Sequence, residues 1–115
     1  GHEAGDAVLK AVAACLNRCA RAGDTLGRIG GEEFSMFLPD TDTPAALVLA
    51  ERLRQAIEAL MPVVGGQPLP VTASIGAARN QPYHQTIADV QRQADQAMYR
   101  AKSMGRNRVT QYQEA

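Results

Sequence analysis

The sequence predicts an α+β fold, and three observations carry that prediction. Three stretches repeat apolar residues at the three- and four-residue steps of an amphipathic helix. Two short apolar runs, at 26–29 and 34–38, flank a pair of glycines, the signal of a β-hairpin. A further run, Val71-Thr72-Ala73-Ser74-Ile75, alternates apolar and polar residues, the period of a strand with one buried face. The order is helix, hairpin, helix, strand, helix, strand. Such an order layers helices on a sheet that contains antiparallel pairs.

The first helix is expected over residues 7 to about 20, with Val8, Val12, Cys15, Leu16 and Cys19 as its apolar stripe. Asp6 stands where an N-cap would, and Gly23 follows the expected end. The hairpin comes next, with Gly30-Gly31 as its turn and Pro39-Asp40 closing its second strand. Thr43-Pro44 opens the second helix as cap and first-turn proline. Leu49, Leu53, Ala56, Ile57 and Leu60 form its stripe. Residues 62–70 read as a loop before the strand at 71–75, and 81–84 as a second loop. Thr86 and Asp89 have the spacing of a capping box for a third helix that runs to about 104. Val90, Ala94, Ala97, Met98 and Ala101 point inward, Gly105 ends the helix, and 109–112 suits a last short strand.

Composition bounds the function. The 115 residues make one domain with a real core. Twelve Lys+Arg balance twelve Asp+Glu, so no net field favours nucleic acid or an anionic membrane. Aromatics are 4% and Trp is absent, which argues against a stacking platform for single strands. Arg100, Lys102, Arg106 and Arg108 form a small basic cluster, too little against that background for a nucleic-acid reading. No apolar stretch approaches the ~20 residues that span a bilayer, and no signal-peptide pattern is visible. Cys15 and Cys19, four apart on a helix, read as a buried face; His2 and His84 are not spaced to complete a zinc site with them. Two thiols without a disulfide framework suit a reducing cytoplasm.

The chemistry concentrates at Arg28-Ile29-Gly30-Gly31-Glu32-Glu33-Phe34. Glycines at a hairpin tip clear side chains from one patch of surface, so a ligand can lie against backbone. Two adjacent carboxylates there cannot both enter a core, and hard oxygen ligands suit Mg²⁺ with its bound phosphates. A solvated acidic turn is the plain alternative.

This stretch resembles the signature of the GGDEF family, the diguanylate cyclases, in its GGEEF form. Four further segments match in the family's order. Gly1-His2-Glu3-Ala4-Gly5-Asp6 is similar to its GHxxGD segment, and Arg21-Ala22-Gly23-Asp24 to its RxxD inhibitory motif. Ala73-Ser74-Ile75-Gly76 is similar to its late strand, and the stretch from Ala94 to Lys102, with Gly105-Arg106-Asn107, to its last helix and following turn. The resemblance implies a sheet like the palm of nucleotidyl cyclases. The family domain opens with a strand carrying a metal-binding aspartate, then Phe-Lys and Asn-Asp ahead of Gly-His. This sequence starts at Gly1-His2, so the resemblance implies that 1–115 is the larger, C-terminal portion of a GGDEF domain. That aspartate, a phosphate-contacting lysine and a guanine-reading asparagine then have no counterpart here.

The resemblance also implies roles. Glu32 is the metal ligand, for Mg²⁺ or Mn²⁺, its partner in that role being the aspartate that has no counterpart here; Glu32 and Glu33 are the catalytic residues. Glu33 either supports that ligand or helps deprotonate the ribose hydroxyl. Gly30 and Gly31 let the nucleotide approach backbone. Asp6 reads guanine by accepting from N1–H and the N2 amine, a donor pair that adenine lacks. Lys102 and Arg106 contact the β- and γ-phosphates of GTP; their plain alternative is pairing with the helix C-terminal dipole. Arg21 and Asp24, with Arg52 as a further candidate, form the inhibitory cyclic di-GMP site.

The function implied is condensation of two GTP into cyclic di-GMP with release of pyrophosphate, across a homodimer in which each domain holds one GTP. The alternative is a GGDEF module that binds GTP or cyclic di-GMP as a receptor without turnover. A third reading, an interaction domain, requires that no guanine nucleotide bind. The 115-residue chain alone is expected to make little or no product. Family members are usually the cytoplasmic output end of longer chains with sensory or membrane domains.

Overall fold

The computed structural model describes residues 2–113, and the side chains of 3–113. Helix α1 spans His2–Cys19, β1 Thr25–Gly30, β2 Glu33–Phe37 and α2 Thr43–Glu58. Then come β3 (Val63–Val64), β4 (Gln67–Pro68), β5 (Ser74–Ala77), α3 (Ile87–Ser103) and β6 (Arg108–Gln111). The expected order of helix, hairpin, helix, strand, helix, strand is present. One small hairpin, β3–β4, sits within the segment expected to be a loop. Its turn is Gly65-Gly66, both at positive φ (59° and 80°), which only glycine adopts freely.

The strands form three ladders: β1 antiparallel to β2, β3 antiparallel to β4, and β5 parallel to β6. Parallel β5 and β6 need a crossover, which α3 supplies. The β1–β2 and β5–β6 ladders share no backbone pairing among the described residues. Side chains join them instead. Cys15 and Leu16 of α1 meet Leu53 and Ile57 of α2 in a buried cluster. Leu26, Phe34 and Met36 of the hairpin and Val71, Ala73 and Ile75 pack on that cluster. The helical stripes expected from the sequence are therefore the faces that meet, at ~1.5–3 kcal/mol for each large aliphatic fully buried. Cys15 and Cys19 are free thiols within this packing, and burial pushes the Cys15 thiol up from its ordinary pKa.

Three boundaries differ from expectation, each for a local reason. Helix α1 begins before Asp6, so Asp6 lies inside the helix and is not its cap. Gly5 is carried within the first turns at ~1 kcal/mol relative to alanine, while Glu3 in the first turn complements the helix dipole. The cap of α2 is Asp42, whose Oδ1 accepts from the Ala45 amide at 2.9 Å; Thr43 and Pro44 occupy the first helical positions. The late strand is Ser74–Ala77, because only those residues have β6 as a partner. The capping box of α3 is as expected: Thr86 Oγ1 accepts from the Asp89 amide, and the Asp89 carboxylate accepts from the Thr86 and Gln85 amides at 3.0 and 2.9 Å.

Helix α3 lies directly on β5 at Gly76. A Cβ there would fall on the Ala94 carbonyl oxygen and the Met98 amide nitrogen, and within 2.9 Å of the Ala97 carbonyl carbon. Ala97 and Ala101 are buried under the same contact. This close approach sets the height of α3, and so of Lys102 and the turn after it. No helix among the described residues is long and apolar enough to cross a membrane.

Candidate functional site

The hairpin tip is built by glycine and one arginine. Gly30 pairs with Glu33, Arg28 with Phe34, and Ile29 is left over as a bulge, half exposed. The turn is thus Gly31-Glu32, one residue later than the expected Gly30-Gly31. Gly31 takes φ of 49°, in the left-handed region that favours glycine. Arg28 folds back over the turn, its Nε and Nη2 donating to the Gly31 carbonyl at 2.9 and 2.5 Å. Glu32 lies exposed in the turn, and Glu33 begins β2 half-buried. A Cβ added at Gly30 or Gly31 meets nothing within 4 Å, so the space beside the tip is open to a ligand.

Asp6 is brought to the same side of the molecule. A cleft of about 320 Å³ is lined by Asp6, Leu9, Lys10 and Ala13 of α1 and by Arg28 and Phe34 of the hairpin. That is the lower range of small-ligand sites. Its walls are aliphatic and aromatic, its acidic group is Asp6, and its cations are Lys10 and Arg28. A flat heterocycle with a donor edge matches such a lining, with cations at hand for attached phosphates. Leu9, Lys10, Ala13, Arg28 and Phe34 were not singled out as site residues from the sequence. The signal for the first three was present: 6, 9, 10 and 13 share one helical face once α1 is known to begin before Asp6.

Lys102 and Arg106 stand apart from this cleft. Lys102 is half-buried in the last turn of α3, and Arg106 is exposed in the turn beyond. Neither lines the cleft, and no hydrogen bond or ion pair among the described residues occupies either cationic head. The tip carboxylates also stand without a third: among the described residues no three His, Cys, Asp or Glu side chains gather as for a metal ion. Two carboxylates beside open space still fit Mg²⁺, which keeps most of its waters and takes one or two protein carboxylates.

Arg21 and Asp24 form an assembled unit. The Asp24 carboxylate accepts from the Arg21 amide at 2.7 Å, from its Nε at 3.3 Å and from Nη2 at 3.4 Å. Arg21 Nη2 also donates to Thr41 Oγ1 at 2.6 Å, and that hydroxyl donates to the Pro39 carbonyl at 2.9 Å. The Asp24 side chain is 1% exposed and that of Arg21 54%, so the arginine presents one face to solvent on a fixed base. Gly23, at φ 92°, makes the turn possible. The unit sits where β1 begins, ~20 Å from the tip at ~3.3 Å per strand residue. Arg52 is exposed on α2, with no described bond to either residue.

The amide donors around Asp24 and Asp89 hold both carboxylates below their ordinary value of 3.8, chiefly the Arg21 amide for Asp24 and the Thr86 amide for Asp89. A depressed folded-state pKa stabilises the fold above that ordinary value, and the contribution is lost as pH falls through the depressed one. Stability is therefore expected to drop below about pH 4. Asp24→Asn and Asp89→Asn are expected to lower stability at pH 7 and to flatten that acid limb in denaturant titrations run from pH 7 to pH 2.

The comparisons with known proteins decide the family. The sequence profile described as diguanylate cyclase, GGDEF domain, matches residues 1–108. The chain belongs to the GGDEF domain family. It is 41% identical to Diguanylate cyclase A of Treponema denticola over 110 residues, 96% of this chain and 30% of that protein. It is 44% identical to diguanylate cyclase DgcM of Escherichia coli K12 over 109 residues, 95% of this chain and 26% of that protein. This GGDEF domain thus spans between a quarter and a third of the length of these two relatives. Among solved structures it resembles the GGDEF domain of DgcB from Caulobacter crescentus in complex with c-di-GMP, with a TM-score of 0.92 and 32% identity, over 99% of this chain and 68% of that one. It also resembles the active GGEEF domain of a diguanylate cyclase from Vibrio cholerae, with a TM-score of 0.90 and 34% identity, over all of this chain and 72% of that one. A further neighbour, at TM-score 0.91 and 36% identity over 96% of this chain and 42% of that one, is diguanylate cyclase SiaD from Pseudomonas aeruginosa in complex with its activator SiaC. The fold expected from the resemblance is therefore the fold observed.

Proposed function

We propose that this GGDEF domain condenses two GTP into cyclic di-GMP, releasing two pyrophosphates. The observation that supports the proposal is the cleft between α1 and the hairpin, which gathers Asp6 with Arg28 and Phe34, the residues on either side of the Gly30–Glu33 turn. Asp6 accepts from the N1–H and N2 amine of guanine, while Leu9, Ala13 and Phe34 flank the base. Each 3′-hydroxyl oxygen attacks the α-phosphorus of the other GTP. The bond from that phosphorus to its bridging oxygen breaks, and pyrophosphate leaves with the electron pair. Two domains face each other, because one holds a single GTP and each supplies half of the reacting atoms. Glu32 would hold the Mg²⁺ or Mn²⁺, which when bound neutralises phosphate charge. Glu33 takes the hydroxyl proton or orients Glu32; a Glu33→Gln variant that loses the acid limb of the pH–rate profile favours the first role. Lys102 and Arg106 take the terminal phosphates.

The reading extends to 1–115 being the larger part of the domain. The separate β1–β2 and β5–β6 ladders support a further central strand supplied from outside these residues. It also extends to feedback. Cyclic di-GMP binding at Arg21 and Asp24, with Arg52, would stop domain encounter at a distance from the tip. Sensory or membrane-bound partners upstream and a cytoplasmic setting belong to the same reading.

A receptor without turnover is the second reading. One observation favours it: Arg21 and Asp24 are already joined to each other and, through Arg21, to Thr41. Guanine selectivity is common to both readings and is testable directly. Asp6→Ala is expected to weaken GTP binding by roughly tenfold or more, the worth of a charge-assisted pair of hydrogen bonds, and to leave weak ATP binding unchanged. Calorimetric titration of both nucleotides against both proteins decides it. Equal losses for GTP and ATP would remove Asp6 from base recognition.

A further inference from the structure

The turn that follows α3 is held by α2, through contacts that neither the family motif nor the cleft explains. Gly105, Arg106 and Asn107 all have positive φ, at 120°, 64° and 49°. Two consecutive non-glycine residues in the left-handed region are costly, at ~1–2 kcal/mol for a residue such as arginine; asparagine bears it more easily. Such a conformation persists only where its surroundings over-determine it. Here they do. The Arg106 amide donates back to the Ala101 carbonyl at 2.9 Å, and Arg108 Nε donates to the Arg106 carbonyl at 3.0 Å. Asn107 reaches across 53 residues of sequence: its Oδ1 accepts from Arg54 Nη1 at 2.8 Å, and its Nδ2 donates to Glu58 Oε2 at 2.5 Å. Arg54 is itself fixed, 16% exposed, by Glu51 and by Glu58 at 3.6 Å. Both ends of the Asn107 amide are thus gripped, which sets its orientation. Arg106, one residue earlier, keeps an exposed guanidinium with no described partner.

We propose that Arg54, Glu58 and Asn107 are positioning residues: a clamp from α2 that holds the left-handed turn so that Arg106 meets the terminal phosphates of GTP. The inference rests on the reading of Arg106 as a phosphate contact. It adds that the contact is preorganised from another helix. The three clamp residues act through the backbone of Arg106 and not on the nucleotide itself. An exposed arginine with four free side-chain torsions would otherwise lose part of its interaction energy to ordering, so a fixed backbone origin raises affinity for the triphosphate selectively.

The test separates the clamp from the fold and from the reading. Binding of GTP and of GMP to the whole chain is measured by calorimetry for wild type, Arg106→Ala, Asn107→Gly and Arg54→Gln, with a thermal melt for each. Asn107→Gly removes the clamped amide while glycine keeps the left-handed backbone at no strain, so it folds even if Arg54→Gln does not. The expected result is a roughly tenfold loss of GTP affinity in Asn107→Gly and Arg54→Gln, with GMP affinity unchanged. The Asn107→Gly loss should vanish on an Arg106→Ala background. A purely structural role would lower melting temperature and both affinities together, and would overturn the proposal. Loss of GTP affinity in Arg106→Ala alone, with both clamp variants at wild-type GTP affinity, would also overturn it. If wild type does not bind GTP more tightly than GMP, or if Arg106→Ala costs nothing, the phosphate reading itself fails and takes the clamp with it.

Discussion

Glu32→Gln is expected to cut cyclic di-GMP formation at least ~100-fold in any form of the domain that turns over GTP. Phosphoryl transfer is driven by positioning and by neutralising charge on the phosphates, so the group that anchors the cation carries a large share of the rate. Glutamine keeps the length and shape of the side chain and removes only the charge. The hairpin itself does not depend on Glu32: Gly31 supplies the positive φ, and Arg28 ties the turn through the Gly31 carbonyl. Folding and melting temperature should therefore stay at wild-type values. Cyclic di-GMP binding should also survive, because Arg21 and Asp24 are fixed to each other and to Thr41 at the far end of β1. Chromatographic product analysis and calorimetric binding of cyclic di-GMP make the two halves of the comparison. Retained turnover in the glutamine variant would mean that Glu32 holds no cation.

Gly76→Ala is expected to have the largest effect on the fold, about 3 kcal/mol or more of destabilisation. Most overpacked sites relax by a change of rotamer. Here the obstacles are backbone atoms of Ala94, Ala97 and Met98, which have no rotamer to change. Helix α3 would have to lift from β5, opening the contact that buries Ala97 and Ala101. Total stabilities of ~5–15 kcal/mol leave little reserve for that loss. The same movement would carry Lys102 and the Arg106 turn away from their positions. A fall in melting temperature of more than ~10 °C is the expected reading. A melt unchanged from wild type would show that strand and helix do not meet at Gly76.

Much of this was legible in the sequence because it depends on local rules. The helical stripes at Cys15, Leu16, Leu53 and Ile57 became the shared core, since a period of 3.6 residues names the buried face before any partner is known. The Thr86–Asp89 capping box was readable because both of its bonds lie within one turn. The start of α1 is not legible in the sequence, because Gly5 and Asp6 each favour a helix boundary on their own. Leu9, Lys10 and Ala13 share the Asp6 face only when the helix already runs through it, so no local pattern marks them. The hairpin turn shifted by one residue, because the bulge at Ile29 moves the register and no pattern in the sequence marks a bulge there. The strand at 71–75 alternates correctly, but its partner, β6, decided which residues pair. The link from Arg54 to Asn107, and that from Arg21 to Thr41, join residues 53 and 20 apart, and no local rule reaches that far.

Turnover of GTP with and without an added N-terminal strand separates a cyclase from a receptor. The 115-residue chain, and the same chain fused behind an N-terminal strand that carries the family's metal-binding aspartate, are incubated with GTP and Mg²⁺ and their products separated. Little product is expected from the chain alone. From the fusion, cyclic di-GMP is expected with two pyrophosphates per molecule, abolished by Glu32→Gln. A folded fusion that binds GTP yet yields no cyclic di-GMP would contradict the cyclase reading and leave a nucleotide receptor in its place.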